Sequence, residues 1–162
     1  LSAYVNQIGE RVVNVARLDP ATTGLLLLTN VAYPFHLLSH PSFEISKVYT
    51  ATVTGAVDSA TIKKLTAGVE LEDGVSSADK VKVLGESQRG TSIVEIVLHS
   101  GKNRVIRRMM EAVGHPVLDL HRKAIGGVHL GGLKPGTWRE LTTLEVKDLL
   151  TLAHRADAPT KD

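Results

Sequence analysis

A chain of 162 residues with 43% apolar side chains is long enough to bury a real core, which excludes a disordered or fibrous protein. Its longest purely apolar run, Leu25 to Leu28, falls far short of the roughly 20 residues a spanning helix needs, and the absence of cysteine excludes disulfides and thiolate metal sites. A net charge of +2 is too small for a strongly basic nucleic-acid binder, so any affinity for nucleic acid must come from how the charge is distributed.

No basic stretch, apolar core and small-residue cleavage site combine at the start, and a cysteine-free chain fits a reducing cytoplasm, the expected compartment of a soluble protein. The first residue is Leu1 rather than Met, which suggests that something N-terminal was removed. The segment from Val12 to Asn30 reads as a strand, a turn marked by Pro20 and Gly24, and a second strand through Leu25 to Leu28, which leaves Asp19 in a loop. Between Pro34 and Pro41 the stretch FHLLSH predicts a helical turn. Lys47 to Val57 alternates and is rich in β-branched residues, so a strand ending near Gly55 is expected, with Tyr49, Ala51 and Val53 on one face. Ser59 is placed to cap a short helix through Leu65, with Gly68 near its end.

Two more strands come next, Val81 to Leu84 and the alternating SIVEIVLHS. Asn103 to Val113 fits an amphipathic helix with Val105, Met109, Ala112 and Val113 inward, arginines outward and Gly114 as its cap. VLDLHRKAIGGVHL is strand-like with a turn at Gly126-Gly127, Lys134-Pro135-Gly136 is a turn, and Thr142 with Glu145 is a capping box for a last helix offering Leu144, Leu149, Leu150 and Leu152 to the core. We read residues 1–154 as one α+β domain and 155–162 as a polar, frayed tail.

From spacing alone, Asp19 has two readings. A carboxylate in a loop is most often an Asx-turn or cap residue, and a basic helix start is most often a solvated face. Yet Lys102, Arg104, Arg107 and Arg108 crowd one short segment, with Arg122 and Lys123 downstream, while Glu70, Glu72, Asp73 and Asp79 collect elsewhere, so one face is expected to be basic. Arg104 and Arg108 share a helical face and Arg107 is rotated away from them, which allows one arginine to point into a site while others meet phosphate. His36 and His40 have the spacing of a helical metal pair, but no glutamate follows His36 as a zinc hydrolase requires and Pro41 crowds His40, so no metal is expected. The glycines near Gly126 and Gly131 lack phosphate-loop spacing, and no nucleophile elbow surrounds Ser39 or Ser46.

Three segments carry a resemblance. ARLDPATTGLLLLTN is similar to the central motif of the RsuA-like pseudouridine synthases, and KVYTATVTG to their second motif. GKNRVIRRMMEAVGHPVLDLHRKAIGGVHLGGLKPGTWRELT is similar to their third motif and the segment after it. The likeness spans about residues 7–152 in the same order. Ala16 stands where the family usually has glycine, and Val31-Ala32 where it has aspartate-glycine.

The resemblance implies a pseudouridine synthase fold, a mixed and mostly antiparallel sheet flanked by helices, acting as a monomer on ribosomal RNA, with the large subunit favoured and no cofactor or membrane involved. It implies that Asp19 is the nucleophile, Arg107 its ion-pair partner, Tyr49 a residue against the uracil that helps move a proton, and Leu120 a wall of the base pocket. Arg17 would contact RNA near the extruded nucleotide. Lys47 would join the substrate-binding set, and Lys102, Arg104, Arg108, Arg122 and Lys123 would meet phosphates. The rival readings are a non-catalytic RNA-binding module of the same fold and an unrelated structural α+β domain. Many family members carry a small RNA-binding module ahead of the catalytic domain; without one, relaxed substrate selection on naked RNA is expected.

Overall fold

The alternating, β-branched segment Lys47–Thr54 forms β4, around which the main sheet is built. We describe it from a computed structural model, which covers residues 8–9, 11–40 and 44–157. β4 pairs antiparallel with both β8 (Thr91–Leu98) and β9 (Val117–Ile125). Beyond β8 lies β7 (Lys80–Ser87), and beyond β9 lies β10 (Val128–His129), giving the order β10-β9-β4-β8-β7. A sixth strand, β2 (Thr22–Gly24), joins β9 in parallel, so the sheet is mixed and mostly antiparallel, as expected.

On one face of this sheet Ala51, Val53, Val94, Ile96, Leu98 and Leu120 are buried against Leu65 of α1 (Ser59–Ala67) and Ile106, Met109 and Met110 of α2 (Val105–Ala112). Each fully buried valine or leucine contributes roughly 1.5–3 kcal/mol, so this face fixes the register of β4 and thereby the inward position of Tyr49, which packs against it. A second cluster gathers Val15, Leu25, Leu27, Leu38, Ile125 and Val128 with Leu149 and Ala153 of α3 (Thr143–Asp157). It anchors β1 (Val13–Asn14), β3 (Leu28–Thr29) and the 3-10 helix Phe35–Ser39, the turn expected from FHLLSH. Among the described residues no helix is long and apolar enough to cross a membrane.

Several local expectations shift. The leucine run is not one strand: Leu25 still donates its N–H to the Arg122 carbonyl at 2.8 Å, extending β2, and the chain then turns so that Asn14 faces Leu28 and Val13 faces Thr29. α1 is capped by Asp58 rather than Ser59, because the Asp58 carboxylate accepts the Thr61 N–H at 2.8 Å, a bond that also holds its carboxyl below the ordinary aspartate value. α2 begins at Val105, since Arg104 before it has φ 51°, and its phase buries Ile106 and Met110 while Ala112 faces outward. The hairpin of β5 (Val69–Leu71) and β6 (Gly74–Ser76), read from the sequence only as an acidic cluster, turns at Glu72-Asp73.

The capping box at α3 forms as expected, with Thr142 and Glu145 exchanging bonds of 2.9 and 3.2 Å. Arg139 and the Thr142 N–H together hold the Glu145 carboxyl down at about 2. Leu144 is 67% exposed, because Leu149 and Ala153, one turn apart, take the buried face. α3 continues through Asp157, so the chain is helical past the expected boundary at residue 155; 158–162 of the expected tail lie outside the described residues, as does Pro41.

Candidate active site

Asp19 occupies a turn made by its own neighbours. The Thr22 N–H donates to the Asp19 carbonyl at 2.9 Å, closing Asp19-Pro20-Ala21-Thr22 just before β2. β2 then runs beside β9 so closely that a side chain is not tolerated: at Gly24 (φ +112°) a Cβ would lie 2.2 Å from the Arg122 carbonyl oxygen. The family-like glycine is therefore a requirement of backbone contact. Parallel pairing of Thr22 with Leu120 and Gly24 with Arg122 sets the Asp19 turn over the end of β9.

A cleft of about 480 Å³ opens there, and it collects most of the residues singled out in the sequence: Arg17, Asp19, Lys47, Tyr49, Lys102, Arg104, Leu120 and Arg122. Its walls come from both hydrophobic clusters, through Ala16 and Leu38 on one side and Leu98, Val105 and Ile106 on the other. Tyr49 and Leu120 come from paired strands and line the cleft as diagonal neighbours, with Ala51 opposite Leu120 and Tyr49 opposite Arg122. Sequence reasoning missed His40, Ser100 and Asn103, which also line the cleft. His40 lies within FHLLSH, Asn103 within GKNRVIRR and Ser100 just before it, and that placement was the signal for them.

Basic residues in the region divide into two kinds. Lys47 is half-buried and donates to the Ser100 carbonyl at 3.3 Å; burial and the nearby Arg122 charge pull its ammonium below the ordinary lysine value, opposed by Glu44. Arg122, expected to meet phosphate, is instead only 2% exposed, and its guanidinium donates to the carbonyls of Ala16 (2.9 Å), Arg17 (3.3 Å) and Leu25 (2.8 and 3.0 Å). Pairing on β9 turns it inward, as it does Leu120 and Ala124. Lys123, on the opposite face, pairs with Glu95 at 2.8 Å.

No ion pair joins Asp19 to Arg107 among the described residues. Arg107 instead donates Nη2 to the Ala21 carbonyl at 2.9 Å, gripping the turn two residues past the carboxylate, and its buried Nε has no protein partner among those residues. Arg108 lies outside the cleft lining, bonded to Asp73 at 2.7 Å and to the Asn103 carbonyl. Lys102 reaches the Asp73 and Val75 carbonyls, both at 3.4 Å. Arg17 and Arg104 are exposed at the cleft rim. Among the described residues no group of three or more histidines and carboxylates is arranged to hold a metal.

A cleft with one carboxylate, a tyrosine and a leucine wall, rimmed by cations, is suited to an extruded base attached to a polyanionic chain. A family model described as RNA pseudouridylate synthase matches residues 3–112. The chain therefore belongs to the RNA pseudouridylate synthase family. Its likeness to large-subunit synthases of type B places it in the RsuA-like branch: it is 42% identical over 151 residues to ribosomal large subunit pseudouridine synthase B of Bacillus subtilis, covering 93% of this chain and 62% of that protein. It is 38% identical over 145 residues to the protein of the same name from Escherichia coli O157:H7, covering 89% of this chain and 50% of that one. A crystal structure of a pseudouridylate synthase superposes with a TM-score of 0.75 at 29% identity, over 85% of this chain and 59% of that one. The chain thus spans about half to three-fifths of the length of these relatives.

Proposed function

We propose that this chain converts a uridine in ribosomal RNA to pseudouridine, with Asp19 as the nucleophile. The observation that carries this reading is the convergence of Asp19, Tyr49 and Leu120, from three separate strands or turns, on one cleft rimmed by Arg17, Lys102 and Arg104. The reaction breaks the bond between N1 and the ribose, turns the uracil and rejoins it through C5. Nothing is exchanged with the outside, so no cofactor is required. A carboxylate serves such a reaction by attacking the sugar or the ring, or by stabilising charge while a ribose proton leaves.

The base must first leave the stack, at a cost of roughly a few kcal/mol. Tyr49 offers a ring face and a hydroxyl, Leu120 an apolar wall, and the rim cations hold the backbone on either side. Arg107 supports Asp19 in this reading by fixing the Ala21 carbonyl of the same turn. The names of the type B relatives favour a large-subunit target, and we read the chain as a monomer working in the cytoplasm.

The test is carbodiimide labelling and primer extension on ribosomal RNA treated with wild type, Asp19→Ala and Asp19→Asn. A stop seen with wild type alone, while both variants still bind RNA, is the expected result. Binding that is tight and salt-sensitive with no stop from any of the three would make the chain a non-catalytic RNA-binding module and overturn the proposal.

A further inference from the structure

Arg122 is a buried charge without a carboxylate: none of the ion pairs among the described residues includes it. Burying an ionised group is costly unless its donors are fully met. Here they are met by backbone carbonyls 97 to 106 residues away in sequence, and those carbonyls are not scattered. Ala16 and Arg17 lie just before the Asp19 turn, and Leu25 lies just after β2. One guanidinium therefore ties together the two ends of the segment that carries Asp19. Its planar fork reaches several acceptors at once, which a lysine ammonium on the same backbone could not reproduce. Tyr49 is the β4 residue directly opposite Arg122 in the sheet, and both line the cleft.

We propose that Arg122 is a positioning residue: it fixes the segment that carries Asp19 against β9, beside Tyr49 on the paired strand, and it does not contact RNA phosphate. The inference rests on the assignment of Asp19 as the nucleophile. Because a small misplacement of a reacting group is expensive in rate, the residue acts on turnover rather than on RNA affinity. Being buried, it also acts independently of salt.

The experiment measures single-turnover pseudouridine formation and RNA affinity for Arg122→Lys and Arg122→Ala beside wild type, with hydrogen exchange of the amides from Ala16 to Leu25. For Arg122→Lys the rate should fall about 100-fold, RNA affinity should stay within about threefold and its salt dependence should not change. Exchange of the Ala16–Leu25 amides should quicken. For Arg122→Ala, added guanidinium ion should restore the rate about 10-fold by refilling the vacated site, while methylammonium should not.

An unchanged rate in Arg122→Lys, or a rate loss matched by lost affinity and a salt slope lower by about one, would overturn the inference. The two readings fail separately. No product from wild type sinks the Asp19 assignment, whereas unaltered exchange of the Ala16–Leu25 amides in Arg122→Lys sinks the clamp whatever the activity.

Discussion

The Asp19 segment and the basic segment leading into α2 are both held by arginines, but in opposite ways. Around Asp19 the buried guanidinium of Arg122 bonds the carbonyls of Ala16, Arg17 and Leu25, and Arg107 adds an exposed bond to the Ala21 carbonyl. Around α2 the contacts are exposed: Arg108 bonds the Asp73 carboxylate of the surface hairpin and the Asn103 carbonyl, and Lys102 bonds the Asp73 and Val75 carbonyls. A carbonyl contact in a buried site has no solvent competitor and no screening, so it fixes geometry. A half-exposed carboxylate contact is worth about 0–1 kcal/mol and is readily exchanged for another anion. Cations that look alike in the sequence thus divide into those that build the site and those free to meet a polyanion.

The largest effect on the Asp19 segment is expected from Gly24→Ala. The added Cβ would sit 2.2 Å from the Arg122 carbonyl oxygen, at a φ of +112° that alanine rarely adopts. Backbone strain and overpacking together should cost about 4 kcal/mol, read as a lower midpoint in urea unfolding. A variant as stable as wild type would mean that the β2–β9 contact yields easily and that the Asp19 segment is not rigidly placed.

A smaller effect, on the other region, is expected from Asp73→Asn. The Asp73 carboxyl is held below its ordinary value by the Arg108 hydrogen bond, and removing its charge leaves Arg108 available to phosphate. Stability should change little, because the pair is screened by solvent, while RNA affinity at low salt should rise about threefold and its salt slope should steepen by up to about one. Unchanged affinity and slope would show that Arg108 keeps its hairpin and is not an exchangeable cation.

Much of this was legible in the sequence. The alternation in β4 placed Tyr49 with Ala51 and Val53, and the ordered motifs named Asp19, Lys47 and Leu120, all of which line the cleft. What was not legible has a common cause. The sequence shows that Arg122 is a cation, but which face of β9 it occupies depends on register with β4 and β2, which is a long-range property. Arg107 was likewise matched to the Asp19 carboxylate, whereas the turn presents it with the Ala21 carbonyl. The β5–β6 hairpin was hidden because its strands have three residues each, too few to show a period, although the Asp73-Gly74 pair was a turn signal.

The smallest effect tests whether exposed pairs elsewhere behave like Arg108. His99, half exposed, sits between Asp79 (2.8 Å) and Glu44 (3.2 Å) and joins the segment before β4 to the β7–β8 edge. Its hydrogen bond to Asp79, then the charges of Asp79 and Glu44, raise its imidazole above the ordinary value of 6.5, while partial burial and Lys47 oppose. A raised folded value means that the protonated form is favoured by folding. The contribution is therefore complete below about pH 6.5 and is lost as pH rises through the higher folded value. Solvent screening limits it to about 0.5 kcal/mol, or about 1–2 °C in Tm for a chain of this size. The Tm gap between wild type and His99→Gln should thus be largest near pH 6 and close toward pH 8.5 at low salt. A gap that widened with pH would require a neutral His99 in the folded protein, and the carboxylates on either side of it would then have to be placed differently.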